Sequence, residues 1–253
     1  MRLSRLVLPA VLAMAFAALP VAASAAQKET EKVDRTVPMP SGGTLELKNF
    51  SGDVRITATN GRDVVISAVR RADHDRLDHV KLDISTSGST VTINANKRDP
   101  NWREDRDNVV ETTFDIKVPA SVKLDVDVFS SDVEITGVTG DQVLHAFSGD
   151  LTVIGAKSPV RARTFSGHID IDAAAAGAAP EVDAETFSGP VRLKLADGAK
   201  GSVDFSTFSG SLDADVPLTL HSAGRRSTKA DLPGGAGATL RFHTFSGDVR
   251  VVK

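Results

Sequence analysis

Acidic, histidine and serine side chains recur along the chain, and these residue types could support metal binding, glycan binding or acyl transfer. The sequence holds six histidines and no cysteine. It contains no His-Glu-x-x-His pattern, and only His74 and His79, which flank Asp75 and Asp78, offer a weak metal-binding arrangement. We therefore expect surface histidines, no metal site and no cofactor.

Serine is abundant, but its pattern does not predict a catalytic nucleophile. The Gly-x-Ser-x-Gly turn of α/β hydrolases is absent. Serine instead recurs inside a Phe-Ser-Gly motif, and a nucleophile is not normally repeated along a chain. The sequence therefore predicts that the protein is not an enzyme.

A carbohydrate-active enzyme built on a β-helix is the least favoured alternative. Such enzymes use grooves with acidic clusters and exposed aromatic rings. Only Trp102, in the charged segment 96–108, could stack on a sugar, and its ring could equally fold back onto the sheet.

A candidate binding stripe lies just after the repeated motif. Carboxylates one coil apart would lie about 4.8 Å from each other, close enough to hold a ligand together. Pro190 and Ser211 interrupt the row, and the alternative is a solvated sheet face without a ligand. The stripe comprises Asp132, Asp150, His168, Asp170 and Asp248.

The motif itself is the strongest pattern in the sequence. It begins at Phe50, Phe129, Phe147, Phe165, Phe187, Phe208 and Phe245, and every copy reads Phe-Ser-Gly except the second, which reads Phe-Ser-Ser. Chance predicts about 0.1 copy of Phe-Ser-Gly in a chain of this composition. From Phe129 onward the spacings are 18, 18, 22, 21 and 37 residues. Spacing near 20 is typical of a solenoid with one coil per repeat.

Strict alternation follows each motif, which predicts a strand with one buried face. Phe165, Gly167, Ile169 and Ile171 share one parity, so we expect the rings to stack in an internal aromatic column. The serines would line the outside, and glycine would make room for the ring or bend the backbone at a corner. A core position predicts that Phe165→Ala costs about 3–5 kcal/mol.

The remaining chain is expected to form irregular strands followed by regular coils. A hairpin is predicted at Ser87-Gly88-Ser89, and one helical turn at 73–79. The predicted organisation is a signal peptide at 1–26, a flexible lead-in at 27–43, and one solenoid domain at 44–253 with irregular strands at 44–110 and regular coils at 111–253. The predicted strands before the coils are Thr44–Lys48, Val54–Thr59, Val64–Val69, Val80–Ser85 and Val91–Asn94, and surface loops are predicted at 96–108 and 223–238.

The N-terminal segment predicts export to the periplasm or beyond. Arg2 and Arg5 precede an apolar run at 6–19, and small residues follow Pro20. The run is too short for a bilayer, which needs about 20 residues, so no anchor is expected after cleavage. Without Arg2 and Arg5 the 30 basic residues fall to 28 against 33 acidic ones, a net charge of −5. This sign disfavours nucleic acid as a partner.

The order of these features resembles a known family. Val118–Leu124, the Phe-Ser-Gly-Asp-Val coils and a glycine-rich loop before Thr244–Val249 are similar to the bacterial putative-adhesin family of β-strand-repeat proteins, a domain of unknown function. The resemblance covers residues 44–253 and implies an all-β, right-handed parallel β-helix in the cell envelope, with no catalytic residues. Ser131 and Pro190 depart from its usual motif.

The sequence therefore predicts a non-enzymatic binding or adhesion module whose partner is an envelope protein or a glycan. An envelope-stress scaffold that binds a membrane protein is the alternative, because related domains occur in such proteins. Neither composition nor motif identifies the ligand.

Overall fold

The computed structural model describes residues 28–102, 109–176, 180–234 and 237–253. The predicted signal peptide at 1–26 lies outside these residues. Within them the regular secondary structure is almost entirely strand, with one short helix, α1 (His74–His79), and one 3₁₀ turn at Ala174–Ala176. None of the described helices is long and apolar enough to span a bilayer.

The first strands are β1 (Glu29–Pro38), β2 (Thr44–Ser51), β3 (Val54–Thr59), β4 (Asp63–Ala72), β5 (Val80–Ser87), β6 (Thr90–Arg98), β7 (Glu111–Pro119), β8 (Lys123–Ser130), β9 (Val133–Thr136), β10 (Gln142–Ser148) and β11 (Leu151–Ile154). The remaining strands are β12 (Val160–Ser166), β13 (Ile169–Ala173), β14 (Val182–Ser188), β15 (Val191–Leu195), β16 (Gly201–Ser209), β17 (Leu212–Ala214), β18 (Thr219–Ala223), β19 (Ser227–Asp231), β20 (Ala238–Ser246) and β21 (Val249–Val252).

These strands form two large sheets that enclose one apolar core. Sheet 1 has the order β1-β4-β7-β3-β9-β11-β13-β15-β21-β17, and sheet 2 has the order β18-β19-β16-β20-β14-β12-β10-β8-β2-β6-β5. Each coil of the chain passes through one strand of sheet 2, turns a corner at the motif, and continues as a strand of sheet 1. The prediction of an all-β fold is confirmed.

Parallel pairing in the middle of the molecule holds equivalent residues of successive coils in register. Ser148 pairs with Ser166, and Ser166 pairs with Ser188. On sheet 1, Leu151 pairs with Ile169. Most inward positions are aliphatic and buried, so burial of these rows between the sheets holds the coils together.

The coils do not stack in chain order. The last coil, β20–β21, lies between β14–β15 and β16–β17. The intervening segment, predicted as a loop at 223–238, instead contributes β19, which pairs antiparallel with β16 and β18. The 37-residue spacing before Phe245 therefore reflects a hairpin, β18–β19, that covers the free edge of β16, since β16 would otherwise end sheet 2.

The segment predicted as a flexible lead-in, 27–43, instead contains a strand in its described part, 28–43. Glu29–Pro38 forms a strand that pairs with β4 along its whole length, from Glu29 opposite Ala72 to Pro38 opposite Asp63. Buried Arg70 also contacts the Glu31 carboxylate. The segment is charged and mostly exposed, so main-chain hydrogen bonds and this ion pair hold it, together with the partial burial of Val33 and Val37 against the core.

The predicted internal column of phenylalanine rings is also wrong. On β12 the buried residues are Val160, Ala162 and Thr164, so Phe165 points outward, and Ile169 is the next inward residue after the corner. The alternation restarts at the corner, where Gly167 adopts φ +150° and lies close to the Gly149 carbonyl. Glycine was predicted either to make room for the ring or to bend the backbone at a corner, and the structure shows that it bends the backbone.

Candidate binding face: an exposed phenylalanine row

Seven phenylalanines line the outer surface of sheet 2 and together form what we call the phenylalanine row. Each ring stacks on the next, with centroids 4.6–5.1 Å apart and planes within 15° of parallel. The residues are 38–53% exposed. In spatial order the row is Phe50, Phe129, Phe147, Phe165, Phe187, Phe245 and Phe208.

Strand pairing builds the row. Each phenylalanine is the penultimate residue of a sheet 2 strand, and parallel register brings equivalent residues to the same height. Neighbouring strands lie about 4.8 Å apart, so six steps make the row roughly 29 Å long. The ring spacing follows from the backbone, and stacking adds about 0.5–1.5 kcal/mol for each pair.

The row presents ring edges rather than ring faces. Every interior ring has a parallel neighbour on both sides, so little of either face is open to a ligand. At one end, the Arg226 guanidinium lies 4.3 Å from the centroid of the Phe208 ring and covers its outer face. Sugars stack on open aromatic faces, so this geometry favours an apolar partner over a glycan.

A polar row runs beside the rings, two residues earlier on each strand. His145, Arg163, Glu185 and His243 stand between the rings and the rest of sheet 2, and Arg163 Nε lies 3.1 Å from Glu185 Oε2. The space between the two rows is a shallow open groove of about 650 Å³ whose apolar wall is formed by Phe165, Phe187 and Phe245.

The predicted binding stripe divides into two sets in the structure. Asp132, Asp150, His168 and Asp248 lie at the corner after the motif. Asp170 lies on the outer face of sheet 1, where its carboxylate accepts a hydrogen bond from Arg192 at 3.1 Å. The five residues therefore do not form one continuous surface, and a binding role for them stays a prediction.

The corner carboxylates bond one coil to the next. Asp132 accepts a hydrogen bond from the Asp150 backbone N–H at 2.8 Å, and Asp150 accepts one from the His168 backbone N–H at 2.7 Å. Asp248 accepts bonds from both the N–H and the hydroxyl of Ser211. These bonds satisfy amides at a corner where no strand pairing does so.

The same bonds shift two pKa values. Burial alone would raise the pKa of the Asp150 carboxyl, but the backbone N–H, ring and charge of His168 outweigh it and hold that pKa below its usual 3.8. The Ser211 hydroxyl and N–H likewise lower the pKa of Asp248. Both carboxylates are therefore ionised partners in the folded state.

The other candidates have local partners. His74 binds Glu29 at 3.1 Å, which raises the histidine pKa above 6.5 and joins α1 to β1. Trp102 stacks on His79, with ring centroids 5.2 Å apart, and packs beside a small apolar cluster. In the described part of the chain, no three histidine or acidic side chains converge as a metal site would require.

Sequence reasoning found the seven phenylalanines but assigned them to the wrong face. The signal that could have corrected this lies upstream of each ring. The alternation before the corner runs through Val160, Ala162 and Thr164, which places Phe165 on the opposite face. Phe165 falls on the same face as Ile169 only if the alternation is counted straight through the corner. A glycine between two alternating runs marks the point where the parity restarts.

Comparison with solved structures finds matches of low sequence identity. A putative cell adhesion protein from Clostridium sporogenes is 12% identical, with 88% of this chain and 99% of that chain covered and a TM-score of 0.48. A putative adhesin from Bacteroides fragilis is also 12% identical, covering 88% and 97%, with a TM-score of 0.32.

A putative lipid binding protein from Parabacteroides distasonis is 8% identical over 88% of this chain and 97% of its own, with a TM-score of 0.28. No curated protein matches. The Toastrack DUF4097 family model matches residues 36–252. The chain therefore belongs to the Toastrack DUF4097 family.

Proposed function

We propose that the protein is a non-catalytic binding module of the cell envelope and that the phenylalanine row is its contact face. The observation that carries this proposal is the continuous exposure of seven stacked rings, each 38–53% accessible. A fully buried phenylalanine removes about 150–250 Å² from water, so the row leaves roughly 600 Å² of aromatic surface in solvent. The largest apolar patch of a typical monomer is about 300–600 Å² and is often functional.

The chemistry of the row supports a protein or lipid partner over a sugar. Ring edges and adjoining aliphatic stems offer apolar contact but few open faces for stacking. The polar row beside it supplies hydrogen-bonding groups such as Arg163 and Glu185, which give a polar rim to the apolar surface. An adhesion-type role fits such a flat, extended face.

Export and the winding of the coils are part of the same proposal. The basic and apolar residues at 2–19 support transport out of the cytoplasm. The parallel register of equivalent coils supports a β-helix with Phe-Ser-Gly as its repeating unit, and right-handed winding is what the family resemblance implies.

Photo-cross-linking in living cells tests the contact face. A benzophenone amino acid replaces Phe165 in one variant and Ile154, which is 41% exposed on the other sheet, in the matched control. We expect a discrete adduct from position 165 that is several-fold weaker or absent from position 154. Equal adducts from both positions, or none from position 165, would contradict the proposal.

A further inference from the structure

Charge is arranged in opposite signs on the two strands at the centre of the binding face. The outward side chains of β12 include Arg161 and Arg163, and those of β14 include Asp183 and Glu185. Strand register places Arg161 beside Asp183 and Arg163 beside Glu185. The centre of the face is therefore a basic strand next to an acidic strand, with Phe165 and Phe187 at their ends.

Such a patch is complementary to itself. A two-fold axis that runs parallel to the strands, midway between β12 and β14, exchanges these two strands between two copies packed face to face. Arg161 and Arg163 of one copy then face Asp183 and Glu185 of the other. Two-fold interfaces require this reciprocity, in which each contact occurs twice.

The rings obey the same symmetry. In this register Phe165 of one copy meets Phe187 of the second copy, and the rings on either side pair outward in the same way, so six of the seven rings find a counterpart. Moving the axis onto β12 would set Arg163 against itself, and moving it onto β14 would set Glu185 against itself. Charge thus disfavours both of these shifted registers.

The area is sufficient for a stable pair. The row offers roughly 600 Å² of aromatic surface, and a stable interface buries about 800 Å² on each partner. The exposed side chains of Arg163 and Glu185 beside the rings add to this area. From the area and charge pattern together, and resting on the function proposed above, we propose that the partner of the phenylalanine row is a second copy of this chain.

Sedimentation velocity of the purified protein tests the pairing through reciprocal charge reversal. Arg161→Glu/Arg163→Glu leaves only acidic groups at the centre of the face, and Asp183→Lys/Glu185→Lys leaves only basic ones. We expect the unaltered protein to sediment as a dimer at micromolar concentration, each variant alone as a monomer, and an equimolar mixture of the two as a dimer again. Restored pairing in the mixture requires Arg-for-Glu complementarity across the interface and excludes misfolding.

A matched control carries the same charge change on the other sheet. Arg192→Glu/Arg250→Glu alters exposed side chains of sheet 1 and is expected to leave the dimer intact. An unaltered protein that stays monomeric up to about 0.1 mM would overturn the inference. So would dimers of both charge-reversed variants.

The two proposals fail separately. A monomeric protein that still cross-links in cells from position 165 to a different molecule, or that binds phospholipid vesicles through the row, retains the contact face but not the second copy. A monomer without any adduct at position 165 loses both.

Discussion

The inward rows of the coils and the phenylalanine row are both apolar, both repeat once per coil, and differ in almost every other physical respect. Inward residues such as Ile171 and Leu193 are fully buried in one continuous core. The rings are about half exposed and touch mainly one another. The difference shows that a regular apolar repeat predicts a column of stacked side chains but not whether that column faces the core or the solvent.

The two columns are also held by different forces. Burial of aliphatic groups between the sheets stabilises by about 25 cal/mol for each Å² of apolar surface. The outer row gains only partial burial and pairwise stacking, of about 0.5–1.5 kcal/mol for each pair. Truncation should therefore affect the two columns unequally.

The largest expected effect separates the two columns on neighbouring strands of one coil. Ile171→Ala should lower the free energy of unfolding by about 2–5 kcal/mol, because it leaves a cavity in the core. Phe165→Ala should cost less, about 1–3 kcal/mol, because it removes two stacked contacts of about 0.5–1.5 kcal/mol each from a half-exposed ring. Urea denaturation of both variants measures the difference. Equal losses of unfolding free energy would indicate that the rings are packed inside the core.

The corner that separates the columns gives the next effect. A methyl group on Gly167 would lie 2.1 Å from the Gly149 carbonyl oxygen, at φ +150°. Gly167→Ala should cost about 2–4 kcal/mol, since both strain and a fixed backbone atom oppose it. Gly88→Ala is the control, because Gly88 has φ +59° with open space around it and should cost about 1 kcal/mol. Matching thermal shifts would show that close packing at the corner is unimportant.

The end of the molecule where β1 pairs antiparallel with β4 differs from both columns, because polar contacts rather than stacked coils hold it together. Buried Arg70 contacts the Glu31 carboxylate and the Val80 carbonyl, so it joins β1 and β5 to β4. Arg70→Met should cost about 1–3 kcal/mol and speed amide exchange along β1. Its exposed neighbour Arg71, 3.8 Å from Glu111, should tolerate Met with a loss of at most about 0.5 kcal/mol. Unchanged exchange in Arg70→Met would contradict this role.

The smallest effect concerns pH. The pKa of Asp150 is lowered in the folded protein, so its stabilising contribution is complete above pH 3.8 and declines as the pH falls through the folded value. The difference in melting temperature between the unaltered protein and Asp150→Asn should therefore be largest just above pH 3.8 and shrink as the pH falls below it. A difference that stays constant into strong acid would show that the carboxylate charge is not involved.

Local patterns in the sequence predicted much of the fold. Val54–Thr59 was predicted as a strand and is β3, and the hairpin at Ser87-Gly88-Ser89 joins β5 and β6. These elements depend on alternation and turn residues that act over a few positions. The seven repeat phenylalanines were also found, because their spacing is a property of the chain itself.

Features that depend on distant contacts were missed. Glu29–Pro38 carries no strict alternation, because it is an edge strand that is mostly exposed, with Val33 and Val37 partly buried against the core. The insertion of β20 between β14 and β16 has no local signal, because it depends on which open edge the returning chain meets. The outward direction of the rings depends on the corner at Gly167, where the alternation restarts. Counting the alternation along the sequence without that break therefore assigned the rings to the core.

Thiol reactivity tests the exposure of the phenylalanine row most directly, because the chain contains no cysteine and each variant then carries a single reporter. Phe165→Cys and Ile171→Cys are treated with a thiol reagent in native buffer at a dilution that disfavours association. We predict that position 165 reacts nearly as fast as the unfolded chain, whereas position 171 reacts at least a hundredfold more slowly because its thiol is buried. Equal and strong protection at both positions would place the rings in the core and contradict the exposed contact face.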